Sequence, residues 1–267
     1  MAYQMIALDI DGTLTNSQKQ ISDATKDALI AIQKKGIKVV LASGRPTPGL
    51  KECADILHLA DYGSYLLSYN GAKITDCQTG EVIVNHTLPL NIPKEAYEFA
   101  VKENIGIITY ENDGVIAGTD IDHYMELEAR INRIPLRKVQ NFPAYVTFPV
   151  NKCLFTGDGE VLAEKEKLLL EKYGNTLSIY RSEPFFLEMM PQNVDKAQSL
   201  SRLLQHLGLD QNQLVACGDG YNDLSMISYA GLGVAMENAQ DVVKEAADFI
   251  TLSNDEDGIC KVIEKFF

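Results

Sequence analysis

The 267-residue sequence lacks the features that would place it in a membrane, on a secretory route or on nucleic acid. It has no run of about 18 apolar residues, so no transmembrane helix is expected. Its first residues lack the cationic stretch of a secretory signal and soon reach carboxylates. Lysine and arginine number 24 against 37 aspartates and glutamates, which gives a net charge of −13 without any basic run. Nucleic-acid binding, which usually needs a basic stripe, is therefore disfavoured.

Cysteine motifs are missing as well. The cysteines are odd in number and scattered without a C-x-x-C pair, at positions 53, 77, 153, 217 and 260. This usage is typical of a reduced compartment, so we expect a cytoplasmic location. A chain of this length can bury a full core without disulfides or metal staples.

Three common ligand-binding motifs are absent or incomplete. No G-x-x-x-x-G-K-[ST] sequence is present, which excludes a P-loop. The GDGYND stretch has Asp223 where a dinucleotide fingerprint needs its third glycine. An EF-hand loop starting at Asp9 would need glutamate where Gln20 stands, and it would not follow a strand. Taken alone, the Asp-x-Asp-Gly sequence could also be a simple turn.

The two ends of the chain share one pattern of alternating strands and helices. YQMIALDI (3–10) is a short apolar run, Ser22 is a candidate N-cap, Gly36 can end the helix that follows, and IKVVLA (37–42) is a second strand. Late in the chain, helices are predicted over Lys196–Leu207, Leu224–Tyr229 and Ala239–Ala246, and strands over LVAC (214–217) and GVA (233–235). Such a βαβ pattern predicts a parallel sheet.

The middle of the chain has a different pattern. Helices are predicted over Pro93–Glu103 and Gly159–Tyr173, and an Asn-Asp-Gly sequence at 112–114 indicates a hairpin. We therefore expect an α/β core formed by residues 1–84 and 187–267, with an α+β module of residues 85–186 inserted into it. Linkers are expected near Asn85–Leu90 and Phe185–Pro191.

Small or polar residues stand where core strands should end or helices begin. In an open α/β sheet, ligands bind at the carboxyl ends of the strands. Asp9 and Asp11 follow the first strand, and such close carboxylates need a cation or a proton between them. The other three sets are Ser43-Gly44-Arg45 after the second strand, Lys196 at a helix start, and GDGYND (218–223) after LVAC. Because the chain is acidic, an anion site must be built locally, from a lysine, backbone N–H groups and a hard cation such as Mg²⁺.

The chain resembles the haloacid dehalogenase superfamily, and within it the Cof-type phosphatases, which carry a large α/β cap between the second and third motifs. The resemblance covers the whole length. The resemblance rests on five sequence motifs, DIDGTLT (9–15), LASGRP (41–46), SYNGA (68–72), LEMMPQNVDKAQSL (187–200) and GDGYNDLSMI (218–227). It implies a Rossmann-like parallel-sheet core with an inserted cap, and a Mg²⁺-dependent phosphatase.

The resemblance also implies roles for individual residues. Asp9 would be the nucleophile that forms an aspartyl phosphate, and Asp11 would be the general acid and base. The metal site would comprise Asp9, Asp11 through its backbone carbonyl, Asp219 and Asp223, with Asp223 orienting the metal's water or Lys196 in preference to direct ligation. The phosphate would be bound by Ser43, Gly44, Lys196, Asn222 and the N–H groups of Ile10 and Asp11. Alanine follows Lys196 where the family usually has glycine, and Ser43 is often threonine; neither departure removes a functional group.

Several assignments stay open at this point. Arg45 is either a surface residue or a contact to Asp11 or substrate, and Asn70-Gly71 is expected to be a turn joining core and cap. A structural role is preferred for Glu188. Candidate cap contacts to substrate are Tyr110, Glu111, Asp113 and Arg181. The expected partner is a small phosphorylated metabolite, with sugar phosphates as the leading class, and a monomer is the default although a dimer is left open. The alternatives are a sugar phosphomutase and a non-catalytic binding protein of the same fold.

Overall fold

The computed structural model describes residues 3–111 and 114–267. The chain divides into two compact units. One comprises the residues up to Val84 together with Asp195–Phe267, and the other comprises Asn85–Val194. We refer to them as the first and the second unit.

The first segment of the first unit begins with a strand, a helix and a strand. Its elements are β1 (Met5–Leu8), α1 (Asp23–Lys34), β2 (Lys38–Ala42), α2 (Lys51–Ile56), β3 (Tyr65–Ser68), β4 (Lys73–Asp76) and β5 (Val82–Asn85). The predicted N-cap is confirmed, because Ser22 Oγ accepts a hydrogen bond from Thr25 N at 3.1 Å. Gly36, with φ of +91°, follows the end of α1 as predicted.

The second unit alternates helices with mostly antiparallel strands. Its elements are α3 (Ile92–Glu103), β6 (Gly106–Glu111), β7 (Gly114–Ala117), α4 (His123–Asn132), β8 (Leu136–Lys138), α5 (Phe142–Tyr145), β9 (Cys153–Thr156), α6 (Gly159–Tyr173), β10 (Leu177–Glu183) and β11 (Phe186–Pro191). The two predicted helices are confirmed, and β6 and β7 pair antiparallel as the hairpin signal indicates. Asn112 and Asp113 of that signal lie outside the described residues.

Six of the described strands form one sheet in the second unit, in the order β10-β11-β9-β6-β7-β8. Strand β11 pairs antiparallel with both β10 and β9. The predicted linker Phe185–Pro191 is therefore wrong, because most of it is a strand inside this sheet. For the same reason the second unit ends at Val194, whereas the sequence places the boundary after residue 186.

The last segment returns to the first unit. Its elements are α7 (Lys196–Leu207), β12 (Leu214–Gly218), α8 (Leu224–Tyr229), β13 (Leu232–Ala235), α9 (Asp241–Ala246), β14 (Phe249–Ile250) and α10 (Gly258–Phe266). Helix α7 has the predicted bounds: Asp195 caps its start by accepting from Gln198 N at 2.9 Å, and Gly208 in the left-handed conformation ends it.

Eight of the described strands form the core sheet, in the order β14-β13-β12-β1-β2-β3-β4-β5. The strands from β14 to β3 run parallel, and β4 runs antiparallel to β3. The central strands are fully buried apolar runs, as expected for a parallel sheet covered on both faces. The α/β class predicted from the sequence is confirmed. Across residues 3–111 and 114–267, no helix combines the length and apolar character needed to cross a bilayer.

Candidate active site

The carboxyl ends of three adjacent strands gather the predicted residues. In the sheet, β1 lies between β12 and β2, and Leu8 is in register with both Cys217 and Leu41. Asp9 therefore follows β1 between the ends of the two flanking strands, where Asp219 and Ser43 begin the next loops. This is the arrangement that the strand pattern predicts for a ligand site.

Lys196 contacts all three of these strand ends through its fully buried ammonium group. Its Nζ donates to Asp9 Oδ1 at 2.8 Å, to Asp223 Oδ1 at 2.5 Å and to the carbonyl oxygen of Ala42 at 2.7 Å. All three N–H donors of the ammonium group are thus used within the site. The geometry supports charge neutralisation by Lys196, and its predicted direct contact with phosphate stays a prediction.

The charges in this cluster shift one another's protonation. Burial and the neighbouring Asp223 carboxylate raise the pKa of Asp9 above its usual range, although the Lys196 ammonium opposes them. Burial lowers the pKa of Lys196, but the charges of Asp223 and Asp9 outweigh it and raise the pKa overall. Burial likewise raises the pKa of Asp219 to about 6. Three carboxyl groups therefore share one buried ammonium group in this site.

Three of the predicted metal-site carboxylates lie together. One oxygen from each of Asp9, Asp219 and Asp223 can be chosen so that all three lie within 4.8 Å of one another. Oxygen ligands of this kind suit a hard cation such as Mg²⁺. Burial first, and neighbouring carboxylates second, raise the pKa values of Asp9 and Asp219, and a bound cation would favour the ionised forms of both. The residues present therefore fit the metal that the sequence implies.

The turn after β1 is shaped by a close approach to Asp219. Gly12 has φ of +85°, and a Cβ atom added there would lie 2.4 Å from Asp219 Oδ2. Thr13 Oγ1 donates to the other oxygen of that carboxylate at 2.9 Å. The Gly-Thr pair of the DIDGT sequence thus positions Asp219, a function of Thr13 that the sequence reasoning missed.

The Asp11 carboxylate is bound by two cations other than Lys196. Arg45 binds it in bidentate fashion, with Nε to Oδ2 at 2.8 Å and an Nη to Oδ1 at 2.7 Å, and Lys19 Nζ donates at 2.9 Å. Burial raises the pKa of Asp11, but these cations outweigh it and lower the pKa overall. The expectation that a cation or a proton must neutralise one of the two aspartates is met at Asp11 by Arg45 and Lys19, whereas the pKa of Asp9 is raised by burial. Any metal contact of Asp11 through its carbonyl stays a prediction.

Two of the predicted phosphate-binding residues, Ser43 and Asn222, have hydrogen-bond partners in the loops at this edge of the sheet. Ser43 is buried and its Oγ accepts from Arg45 N at 3.2 Å, while Asn222 Nδ2 donates to Asn70 Oδ1 at 3.2 Å. The predicted phosphate contact of the Ile10 N–H stays a prediction. Asn70 and Gly71 do not join the two units, because they connect β3 to β4 within the core sheet. The predicted turn is confirmed, but its predicted place between core and cap is wrong.

The candidate cap residues have partners inside the second unit. Tyr110 donates to Glu128 at 2.6 Å, Glu111 pairs with Arg137 at 2.6 Å, and Arg181 pairs with Glu166 at 2.9 Å. Asp113 lies outside the part of the chain that the structure describes.

Glu188 lies in a buried ion pair of the second unit. It accepts from Lys152 Nζ at 3.2 Å and from the Tyr180 hydroxyl at 3.0 Å. Both members of the pair are nearly inaccessible to solvent. This environment agrees with the structural role preferred for Glu188.

Known proteins resemble this chain over its full length. A family model described as haloacid dehalogenase-like hydrolase matches residues 6–263. The putative phosphatase YxeH of Bacillus subtilis is 33% identical over 270 residues, with 98% of each chain covered. A haloacid dehalogenase-like hydrolase from Bacteroides thetaiotaomicron superposes with a TM-score of 0.97 at 45% identity, covering 99% of this chain and 100% of that one. The HAD subclass IIB sugar phosphatase BT4131 superposes with a TM-score of 0.80 at 28% identity, with 98% of each chain covered.

The fold, the strand-end carboxylates and these matches together define the class. The chain belongs to the haloacid dehalogenase-like hydrolase family. It is a phosphatase, because its relatives in sequence and in structure are named phosphatases.

Proposed function

We propose that this phosphatase hydrolyses phosphate monoesters of small metabolites, with sugar phosphates as the preferred class, in a Mg²⁺-dependent reaction through Asp9. The observation that carries the proposal is the buried Lys196 ammonium group joined to both Asp9 and Asp223 at the carboxyl edge of the core sheet. The substrate class is supported by the likeness to a sugar phosphatase.

In the first half of the proposed reaction, a carboxylate oxygen of Asp9 attacks phosphorus and forms an aspartyl phosphate. The bond between phosphorus and the alcohol oxygen breaks, and the leaving oxygen takes a proton from Asp11. Asp11 must carry that proton at this step, so its contacts with Arg45 and Lys19 have to be given up or weakened when substrate binds.

In the second half, a water molecule attacks the phosphorus of the aspartyl phosphate. Asp11 accepts a proton from that water, the bond between Asp9 and phosphorus breaks, and inorganic phosphate leaves. The ionised state that Arg45 and Lys19 favour suits this step, because only an ionised Asp11 can accept the proton.

Asp9, Asp219 and the backbone carbonyl of Asp11 would hold Mg²⁺, which would supply positive charge that neutralises the phosphoryl oxygens, and Asp223 would orient Lys196 or the metal's water. Lys196 keeps Asp9 and Asp223 in place and offsets part of their charge. Ser43, Gly44 and Asn222 are proposed to bind the phosphate oxygens. Phosphoryl transfer is accelerated mainly by positioning and charge neutralisation, which is consistent with a site made of fixed charges.

We also propose that the second unit selects the leaving group. The core motifs provide for the phosphate and the metal, and the wide range of alcohols that carry phosphate must be distinguished by other residues. The second unit is the large insertion between the second and third motifs, as in the caps of the family.

The test is phosphate release from a panel of hexose, pentose and alditol phosphates, with nucleotides and phosphoserine as non-sugar members. Each compound is measured with Mg²⁺ and with EDTA, using wild type, Asp9→Asn and the control Asp27→Asn, which alters an exposed carboxylate of α1. We expect metal-dependent release that Asp9→Asn abolishes and Asp27→Asn preserves, with sugar phosphates ranking highest.

Release that survives Asp9→Asn would exclude Asp9 as the nucleophile. Isomerisation primed by a bisphosphorylated sugar, without loss of phosphate, would identify a phosphomutase. A preference for non-sugar esters would overturn the substrate class while leaving the chemistry in place.

A further inference from the structure

The turn that follows β3 has an unusual backbone. Tyr69 and Asn70 both have φ of +53°, and Gly71 follows with φ of +105°. A left-handed conformation is tolerated by asparagine and glycine but is costly for a bulky residue such as tyrosine. Backbone strain of this kind persists only where the surroundings enforce it, and it is concentrated at functional sites.

The start of α7 enforces this conformation. A Cβ atom on Gly71 would lie 2.7 Å from both the carbonyl oxygen of Asp195 and Ser199 Oγ. Ser199 Oγ donates to the carbonyl oxygen of Gly71 at 2.7 Å. The turn is therefore packed against the same helix end that carries Lys196.

The left-handed residues also hold the loop after β2. Tyr69 N donates to the carbonyl oxygen of Arg45 at 2.9 Å, and Asn70 N donates to that of Ser43 at 3.0 Å. A Cβ atom on Gly44 would lie 3.2 Å from both Asn70 Nδ2 and Oδ1, so the Asn70 amide lies directly against this glycine.

The side chain of Asn70 reaches a third loop. Its Oδ1 accepts from Asn222 Nδ2 at 3.2 Å. Asn222 follows β12 and Asn70 follows β3, and the sheet order places β1 and β2 between those strands. The contact therefore spans the sheet edge at which Asp9 and Ser43 lie.

We propose that Asn70 is a positioning residue of the phosphate site, which fixes the orientation of the Asn222 amide. An asparagine amide can present either its oxygen or its NH₂ group in a given direction. An acceptor at Asn70 Oδ1 holds the NH₂ of Asn222 at the sheet edge, where its second N–H can bind a phosphate oxygen. The inference deepens the proposed function and rests on it.

The experiment uses inorganic phosphate as a competitive inhibitor, measured on the full chain with Mg²⁺. Asn70→Gly keeps the left-handed backbone and removes the amide. We expect the inhibition constant of phosphate and the KM of the best ester to rise roughly tenfold, the order of one hydrogen bond to a charged group, with a much smaller change in kcat. Asn104→Gly is the matched control, because Asn104 has the same φ of +53° at the end of α3, and it is expected to change neither constant.

A double-mutant cycle separates positioning from simple loss of stability. Asn222→Ala is expected to weaken phosphate binding in wild type and to have no further effect in the Asn70→Gly background. Asn70→Asp retains an acceptor oxygen. In that background, Asn222→Ala should therefore weaken phosphate binding as much as it does in wild type. The Asn70→Asp background replaces Asn70→Gly in the test if Asn70→Gly lowers the melting temperature more than the control Asn104→Gly does.

The outcomes distinguish this inference from the proposed function. If wild type releases phosphate and is inhibited by it, and the effects of Asn70→Gly and Asn222→Ala simply add, the positioning role is overturned and the proposed function stands. If no ester is hydrolysed by wild type, both fail.

Discussion

At the residue scale, the buried side chain of Lys196 contributes both to the proposed chemistry and to the stability of the site. Its ammonium group has no exposure to solvent and is balanced by the carboxylates of Asp9 and Asp223. A buried ion pair gains little over apolar packing as a whole, but removal of one partner leaves an uncompensated charge. The same lysine is therefore required by both the chemistry and the stability of the site.

Lys196→Met tests this at the residue scale. We expect at least about a 10³-fold loss of kcat/KM, because the proposed nucleophile loses its cation, a loss of about 4 kcal/mol in electrostatic stabilisation. In EDTA, the free energy of unfolding should fall by about 3–5 kcal/mol. Steady-state kinetics and urea unfolding provide the two readouts, and Lys34→Met on the exposed face of α1 is the control. A variant as stable as the control would contradict this account.

The Lys152–Glu188 pair makes a second residue-scale prediction, in the second unit. Glu188→Leu leaves the Lys152 ammonium group buried without its carboxylate. The free energy of unfolding should therefore fall by about 3–5 kcal/mol. The double variant Lys152→Met with Glu188→Leu should recover most of that loss, because apolar groups of similar size can replace a buried pair. Urea unfolding measures both. If the double variant is no more stable than the single one, the pair is not the source of the loss.

At the scale of elements, the site is formed by short loops that are connected to one another by hydrogen bonds. The turn after β1 is fixed by the loops after β13 and β14: Asn238 Nδ2 donates to the carbonyl oxygen of Gly12 at 2.8 Å, and Asn254 Nδ2 donates to that of Thr15 at 2.9 Å. Asn254 N in turn donates to Asn238 Oδ1 at 3.0 Å. Residues more than 200 positions apart in the sequence thus determine the conformation of one turn.

Gly12→Ala and Gly36→Ala form a matched pair for this turn. Both glycines have φ near +90°, so alanine strains both by about 1 kcal/mol. At Gly36 a Cβ atom meets nothing within 4 Å, whereas at Gly12 it would meet Asp219 Oδ2. We expect Gly36→Ala to leave activity unchanged. Gly12→Ala should displace Asp219 and raise the Mg²⁺ concentration for half-maximal activity at least tenfold, as a Mg²⁺ titration of phosphate release would show. Equal effects would exclude the contact with Asp219 as the cause.

On the scale of the whole molecule, the chain is strongly acidic, and its candidate active site adds a local cluster of carboxylates. The net charge is −13, and the site nevertheless brings three carboxylates together. A cation bound by the folded state and not by the unfolded chain stabilises the fold, by about 2.7 kcal/mol at 100 times its dissociation constant.

Removal of the metal should therefore destabilise the protein in a pH-dependent manner. Burial raises the pKa of Asp219 to about 6, above the value of 3.8 for an unperturbed aspartate. Between these values the folded state binds more protons than the unfolded chain, so stability in EDTA falls as pH rises. Mg²⁺ requires the ionised forms of Asp219 and of Asp9, whose pKa is raised to about 8, so the increase in melting temperature from EDTA to Mg²⁺ should grow between pH 5 and pH 8. Thermal unfolding measures it, and Asp219→Asn should reduce the growth of that increase between pH 5 and pH 7. A shift independent of pH would contradict the assignment of Asp219.

Local sequence signals were enough to predict the elements of the core and the polar residues at their ends. Ser22 and Gly36 delimit α1, the Lys196–Leu207 periodicity gives α7 its bounds, and the apolar runs before Asp9 and Asp219 become central strands. Caps, glycine and hydrophobic periodicity act within a few residues, so they can be recognised without knowledge of the fold. The parallel arrangement then follows from the βαβ connections, and it brings the strand-end residues to one edge.

Which side chains meet at that edge depends on the tertiary structure. That Arg45 and Lys19 hold Asp11, that Asn70 contacts Asn222, and that Phe186–Pro191 is a strand of the second unit all require contacts between distant segments. A dipeptide such as Asn70-Gly71 permits a left-handed turn, but the partner of its amide is set by strand order. Local sequence preferences restrict the backbone of each segment, whereas the long-range pairing of a charged or amide group is selected by packing of the whole sheet.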